Sequence, residues 1–315
     1  MKTLFKSTLV AVAALFAVGL AGPAAAEGER FVFVSHAPDS DSWWNTIKTA
    51  LKNAESDMKV TVEYRNPPSG DLADMARIIQ QAAASNPNGI ITTIADFDVL
   101  QGPIKDAIAK GIPVITVNSG TIKQSEELGA MLHVGQPEYD AGMGAGKRAK
   151  AAGVTSFLCI NHYITNPASV ERCQGYADAL GVPLGDQMLD SGMDPTDVLN
   201  KVKAYLANHP DTNGILALGP NSAEPTIKLL KDGGSAAKYN FITFDLSPDI
   251  AQAIKDGVIE SAIDQQPYLQ GYLPVVFLTL FNRYGIMPGN SVNSGPGFVT
   301  KDNVGTVEKL AGEYR

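Results

Sequence analysis

From residue 31 to residue 263 the chain alternates short, β-branched apolar runs with amphipathic stretches, almost without a break. The runs FVFVS (31–35), KVTVEY (59–64), GIITTI (89–94), IPVITV (112–117) and AMLHV (130–134) have strand length, and helical patterns lie between them at 42–57, 71–85 and 99–110. Parallel strands cannot be joined by a tight turn; each pair needs a crossover, usually a helix. Alternation of this kind therefore restricts the fold to βαβ units around a parallel sheet with helices on both faces. The turns PNG (87–89) and KGIP (110–113) fall just before strands, where helices should stop.

A second series repeats the theme. Strands are expected at 155–160, 186–190, 214–218, 240–245 and 258–263, with helices at 137–152, 168–180, 195–208, 222–232 and 248–256. Residues 267–284 read as a further helix, 288–297 (PGNSVNSGPG) as a loop and 302–313 as a last short helix. The expected fold class is α/β: two doubly wound, Rossmann-like parallel-sheet domains with more than one crossover between them. Within it, GMGAGKR (142–148) reads as a small-residue helix face packed close to a sheet; it lacks the first glycine of a phosphate loop.

The first 26 residues stand apart. Lys2 and Lys6 precede an apolar stretch, Leu9 to Leu20, and Ala24-Ala25-Ala26 forms a small-residue cleavage site. This is the pattern of a secretory signal peptide, and the apolar stretch is short of the roughly 20 residues that span a bilayer. Export would leave 23 basic against 33 acidic residues. An acidic surface of that size speaks against nucleic acid as a partner. An oxidising compartment permits a disulfide between the only two cysteines, Cys159 and Cys173, although two small buried thiols would look the same in sequence.

In open parallel sheets ligands bind outside the carboxyl ends of the strands. Here those positions are polar: His36 to Trp44 after the first strand, Asp96 and Asp98 after the third, Asn118-Ser119-Gly120 after the fourth, then Asn161-His162, Asn221, Asp245 and Gln265-Gln266. Some are of helix-cap type, Asp41 and Ser42 among them. Both tryptophans, Trp43 and Trp44, are adjacent in HAPDSDSWWNTI (36–47). Neighbouring helical residues point about 100° apart, so the two rings do not share one core-facing stripe. Carboxylates and amides beside flat aromatic walls suit a polyhydroxyl ligand, whose hydroxyls donate and accept while its C–H faces pack on rings.

These segments resemble the periplasmic sugar-binding proteins of ABC transporters, the ribose- and galactose-binding group with the type I periplasmic binding protein fold. The resemblance runs over nearly all of 30–310 and is carried by FVFVSHAPDSDSWW, GIPVITVNSG, ASVERCQGYADAL, FITFDLSPDIAQAIKDG and IDQQPYLQGYL. It implies that Asp41, Trp43, Trp44, Asn118, Arg172, Asn221, Asp245 and Gln265 contact the ligand. Asn118 and Ser119 stand where ribose-type members carry an aspartate and an arginine, which points away from D-ribose itself. The resemblance further implies a three-segment hinge near 134–136, 263–266 and 291–296, with one lobe from 27–134 plus 264–292 and the other from 135–263 plus 293–315. Ligand closes the lobes, and a membrane permease of an ABC importer then recognises the closed form. The expected protein is a periplasmic, monomeric receptor for a small neutral sugar or polyol, with no cofactor or metal and no nucleic-acid partner.

Two readings compete. An exported α/β hydrolase acting on carbohydrate would need a nucleophile or metal constellation. The chain has no G-x-S-x-G or H-E-x-x-H, and its histidines, at 36, 133, 162 and 209, show no ligand spacing. A sugar-responsive repressor would need a DNA-binding segment where the signal peptide lies.

Overall fold

A computed structural model describes residues 28–315; the signal-peptide reading of 1–26 lies outside the described residues. In the first half, β1 (Arg30–Val34), β2 (Thr61–Arg65), β3 (Gly89–Thr92), β4 (Val114–Val117) and β5 (His133–Gly135) alternate with α1 (Trp44–Met58), α2 (Leu72–Ala84), α3 (Phe97–Ala109) and α4 (Ile122–Leu128). After α5 (Glu138–Ala151) the second half carries β6 (Phe157–Asn161), β7 (Met188–Asp190), β8 (Gly214–Ala217), β9 (Asn240–Phe244) and β10 (Ser261–Asp264). These alternate with α6 (Pro167–Leu180), α7 (Pro195–Asn208), α8 (Pro220–Asp232) and α9 (Pro248–Lys255). Then come α10 (Pro267–Tyr284), β11 (Val292–Asn293) and β12 (Gly297–Thr300).

Two six-stranded sheets result, in the orders β11-β5-β4-β3-β1-β2 and β12-β10-β9-β8-β6-β7. The two orders are the same, position for position. Every pairing is parallel except β10 with β12, which is antiparallel. The fully buried central strands explain their unbroken apolar runs: both faces of each sheet are covered by helices. The chain passes between the sheets three times, at 135–138, 264–267 and 293–297.

Two expectations are corrected. The 288–297 segment contains β11 and the start of β12, edge strands too short to show in a Gly/Asn/Pro-rich sequence. The expected helix over 302–313 consists of two short 3₁₀ turns, Val304–Thr306 and Glu308–Leu310. The GMGAG face of α5 lies close to its sheet as expected, with Gly144 against Phe298 of β12, while Gly142 and Gly146 pack against helix α6. Cys159 of β6 and Cys173 of α6 are joined by a disulfide, which resolves the open choice between bridge and buried thiols. Closing so short a loop contributes about 3 kcal/mol in the chain-entropy picture.

Candidate functional site

Between the carboxyl ends of the two sheets lies a cleft with about 500 Å³ of space, part of it open to solvent. All eight residues named from the sequence, Asp41, Trp43, Trp44, Asn118, Arg172, Asn221, Asp245 and Gln265, line it. Asp96 and Asp98 do not: Asp96 caps α3 through a hydrogen bond accepted from the Val99 amide, and Asp98 lies in the exposed first turn.

The first lobe supplies the aromatic side. Trp44 is 3% exposed and belongs to the core beneath β1. Trp43 is half-buried, packs on it with ring centroids 5.1 Å apart at 74°, and leans further into the cleft. The angular offset of adjacent helical residues is thus used: both rings reach the cavity, and Trp44 is also anchored in the core. Asp41 accepts the Trp43 backbone amide at 3.2 Å. Burial pushes its carboxyl above the usual range, against hydrogen bonds from Trp43, Asn221 and Trp44.

The second lobe supplies the arginine and a second carboxylate. Arg172 is held on three sides. Its Nε and Nη2 donate to Glu138 at 2.6 and 2.8 Å, its Nη1 donates to the Leu218 carbonyl at 3.0 Å, and its guanidinium lies 4.3 Å from the centre of the Phe244 ring. One hydrogen on each terminal nitrogen is left over. Burial works against the Arg172 charge, and Glu138 more than offsets it, holding its pKa above the ordinary value. Its ion-pair partner is therefore Glu138, not Asp245.

Asp245 follows β9 with φ of 66°, and Asn118 occupies the same place after β4 with φ of 58°. Asn and Asp are the non-glycine residues most at ease in this left-handed region, and the kink turns each side chain off its strand into the cleft. Gln265 joins them: its Nε2 donates to Asp245 at 2.6 Å, and its Oε1 accepts from Asn118 at 3.1 Å. Asn118 also donates to Gln270 at 3.0 Å and accepts from Ser119 at 2.8 Å, so both of its amide hydrogens are committed. Gln270 in turn donates to Ser294 at 3.0 Å, tying the second and third crossings together. Burial pushes the Asp245 pKa up to about 7, against the attraction of Arg172 and the Gln265 hydrogen bond.

Several lining residues carried no assigned role from sequence. His36 and His162 follow the first strand of each lobe; burial pulls His36 down to about 3 and His162 to about 4. The Nδ1 of His162 is buried without a hydrogen-bond partner among the described residues. Its ring approaches Gly219 so closely that a Cβ there would lie 3.1 Å from His162 Cε1 and 3.4 Å from Asp245 Oδ2. Tyr163 meets His36 edge-on with ring centroids 5.0 Å apart, and Asn166 donates to Ser119 at 2.9 Å; both contacts cross from one lobe to the other. Position after a strand was the available signal for the histidines. Asn166 had one too, as a cap type before Pro167. Glu138 had none, since a first-turn glutamate is ordinary helix composition. Among the described residues no group of three or more His, Cys, Asp or Glu is arranged to hold a metal ion, and no helix is long and apolar enough to cross a membrane.

Comparison with known proteins agrees with this architecture. The family model described as a periplasmic binding protein domain matches residues 31–280. A carbohydrate transporter protein from Acidothermus cellulolyticus, solved with myo-inositol, is 33% identical, with a TM-score of 0.83 over 90% of this chain and 98% of that one. A periplasmic sugar-binding protein from Legionella pneumophila is 26% identical, with a TM-score of 0.75 over 85% and 99%. A xylose/arabinose-binding protein of Sulfolobus acidocaldarius is 25% identical over 294 residues, covering 87% of this chain and 72% of its own length. The chain belongs to the periplasmic binding protein family.

Proposed function

We propose that the cavity captures one small neutral sugar or polyol, that the lobes close over it by motion at the three crossings, and that a membrane permease of an ABC importer reads the closed form. The lobes of this reading are 27–134 plus 264–292 and 135–263 plus 293–315. The protein acts as a monomer in the periplasm, as a binding protein and not an enzyme. One observation carries the reading: polar groups from both lobes, including two carboxylates and a charge-paired arginine, converge beside an indole ring. Hydroxyl groups match such a lining, because each can both donate and accept. The cleft residues Asp41, Trp43, Trp44, Asn118, Arg172, Asn221, Asp245 and Gln265 are assigned to ligand contact. Asn118 and Ser119 disfavour D-ribose, and the myo-inositol bound by the Acidothermus cellulolyticus relative supports testing cyclitols beside pentoses.

The test is a thermal-shift screen against pentoses, hexoses, linear polyols and inositols, followed by calorimetry on each hit. At least one should raise the melting temperature by several degrees, bind at one site and be recovered chemically unaltered. Failure of every class to stabilise the protein, or turnover abolished by a cleft substitution, would sink the reading.

A further inference from the structure

We propose that Glu138 sets the charge selectivity of the cleft: by clasping Arg172 it converts a guanidinium that would recruit anions into a donor for neutral hydroxyls. The inference rests on the cleft being the ligand site. Glu138 opens α5, directly after the first crossing between the lobes. Its side chain is almost wholly buried, at 1%, against 8% for that of Arg172. Both carboxylate oxygens are used on the arginine, at 2.6 and 2.8 Å, the fork-to-fork geometry of a strong pair. Oε2 also accepts from Gln136 of the crossing itself at 2.8 Å. Neither Asp245 nor Asp41 comes within ion-pair distance of Arg172, so Glu138 alone neutralises it at contact range.

The sequence builds this clasp through three glycines. A Cβ on Gly142 of α5 would fall 2.2 Å from the Arg172 carbonyl oxygen. One on Gly175 of α6 would fall 2.2 Å from that of Tyr139, and one on Gly146 would fall 2.6 Å from that of Tyr176. Backbones this close admit no side chain, and the approach brings the first turn of α5 under the arginine of α6. The GMGAG face therefore serves the site, although it never reaches the cavity.

A buried arginine without Glu138 would carry a full positive charge at the cavity wall. Uronates and free anions would then gain, and neutral sugars would lose a donor held in place. The test compares wild type with Glu138→Gln, Glu138→Asp and the double variant Glu138→Gln/Arg172→Gln. Calorimetry pairs D-galactose with D-galacturonate, D-glucose with D-glucuronate, and includes myo-inositol; sulfate is titrated separately by thermal shift. Glu138→Gln should weaken the neutral ligand about ten-fold and raise the uronate-to-neutral affinity ratio at least ten-fold. Glu138→Asp, which keeps the charge, should stay near wild type in that ratio. Sulfate should stabilise Glu138→Gln beyond wild type and beyond the double variant, a readout that needs no sugar to bind. Should wild type bind no neutral sugar, the transport reading falls while the sulfate arm still decides this one. An unchanged ratio, or equal sulfate response in the single and double variants, overturns the proposal.

Discussion

The two lobes have the same strand order, yet they bring different things to the cleft. The first contributes the indole pair, with Trp43 on Trp44 against the β1 core, and one carboxylate, Asp41; the second contributes the cleft's arginine, Arg172, with its partner Glu138, and the carboxylate Asp245. Even the matched positions differ in this sense: Asn118 after β4 is neutral where Asp245 after β9 is acidic. The crossing helices are matched as well. α5 lies against α6 through Gly142, Gly146 and Gly175 as α10 lies against α1 through Gly271, and Gln-Pro precedes or opens both, at 136–137 and 266–267. Topology thus decides where a side chain enters the cleft, and residue type alone decides what it does there.

The largest expected effect comes from removing the charge of the second lobe. Arg172→Ala strands the Glu138 carboxylate in the interior, and breaking a buried pair costs about 3–5 kcal/mol. Unfolding of the ligand-free variant in urea should show that loss, and affinity should fall by at least about 100-fold, since two leftover donors go with it. Full stability in the variant would remove the structural half of the asymmetry. The disulfide belongs to the second lobe alone. Cys159→Ser/Cys173→Ser should lower the stability by about 3 kcal/mol, with hydrogen exchange accelerating around β6 and α6 and not around β1 and α1.

Exchanging the matched positions sharpens the comparison further. Asn118→Asp turns a double donor into an acceptor facing the oxygens of Gln265 and Gln270, at a cost of about 1–3 kcal/mol. Its signature should be weaker ligand binding measured by calorimetry. Asp245→Asn makes the second lobe resemble the first. It should weaken ligand binding about ten-fold yet leave ligand-free stability unchanged or raised at pH 8. Asp245 has its pKa raised to about 7 by burial, so its favourable, protonated form is lost as pH rises from 3.8 through 7, and an amide escapes that loss. A destabilised variant at pH 8 would contradict the sign.

The smallest effects concern the rings. Both rings line the cavity but Trp44 is 3% exposed and held in the core, so ligand should change the fluorescence of Trp44→Phe more than that of Trp43→Phe. Equal responses would mean that the anchor and the wall are not distinct. The histidines give a pH test. Burial lowers both, so the closed form loses stability as pH falls from 6.5 toward about 4 and 3. His36→Gln/His162→Gln should therefore gain affinity relative to wild type as pH drops from 7 to 5.

Strand-length apolar runs and helical periodicity determined the two-sheet architecture, because burial on both faces leaves no other way to satisfy such runs. Seven of the eight cleft residues were legible for a related reason: they follow strands, and strand ends are where open sheets present side chains; Arg172, inside α6, was legible only through the family resemblance. One helix was legible and passed over. Thr121 and Gln124 form a capping box for α4, and Gly129 ends it. Only tertiary structure decided the rest. β11 and β12 exist because β5 and β10 offer open edges, not because VN or GFVT insists on a strand. Glu138 became the partner of Arg172 because three glycines let α5 and α6 touch. Periodicity reports which face of an element is buried; which atoms meet there depends on how closely two backbones approach, and that distance is set by both elements together.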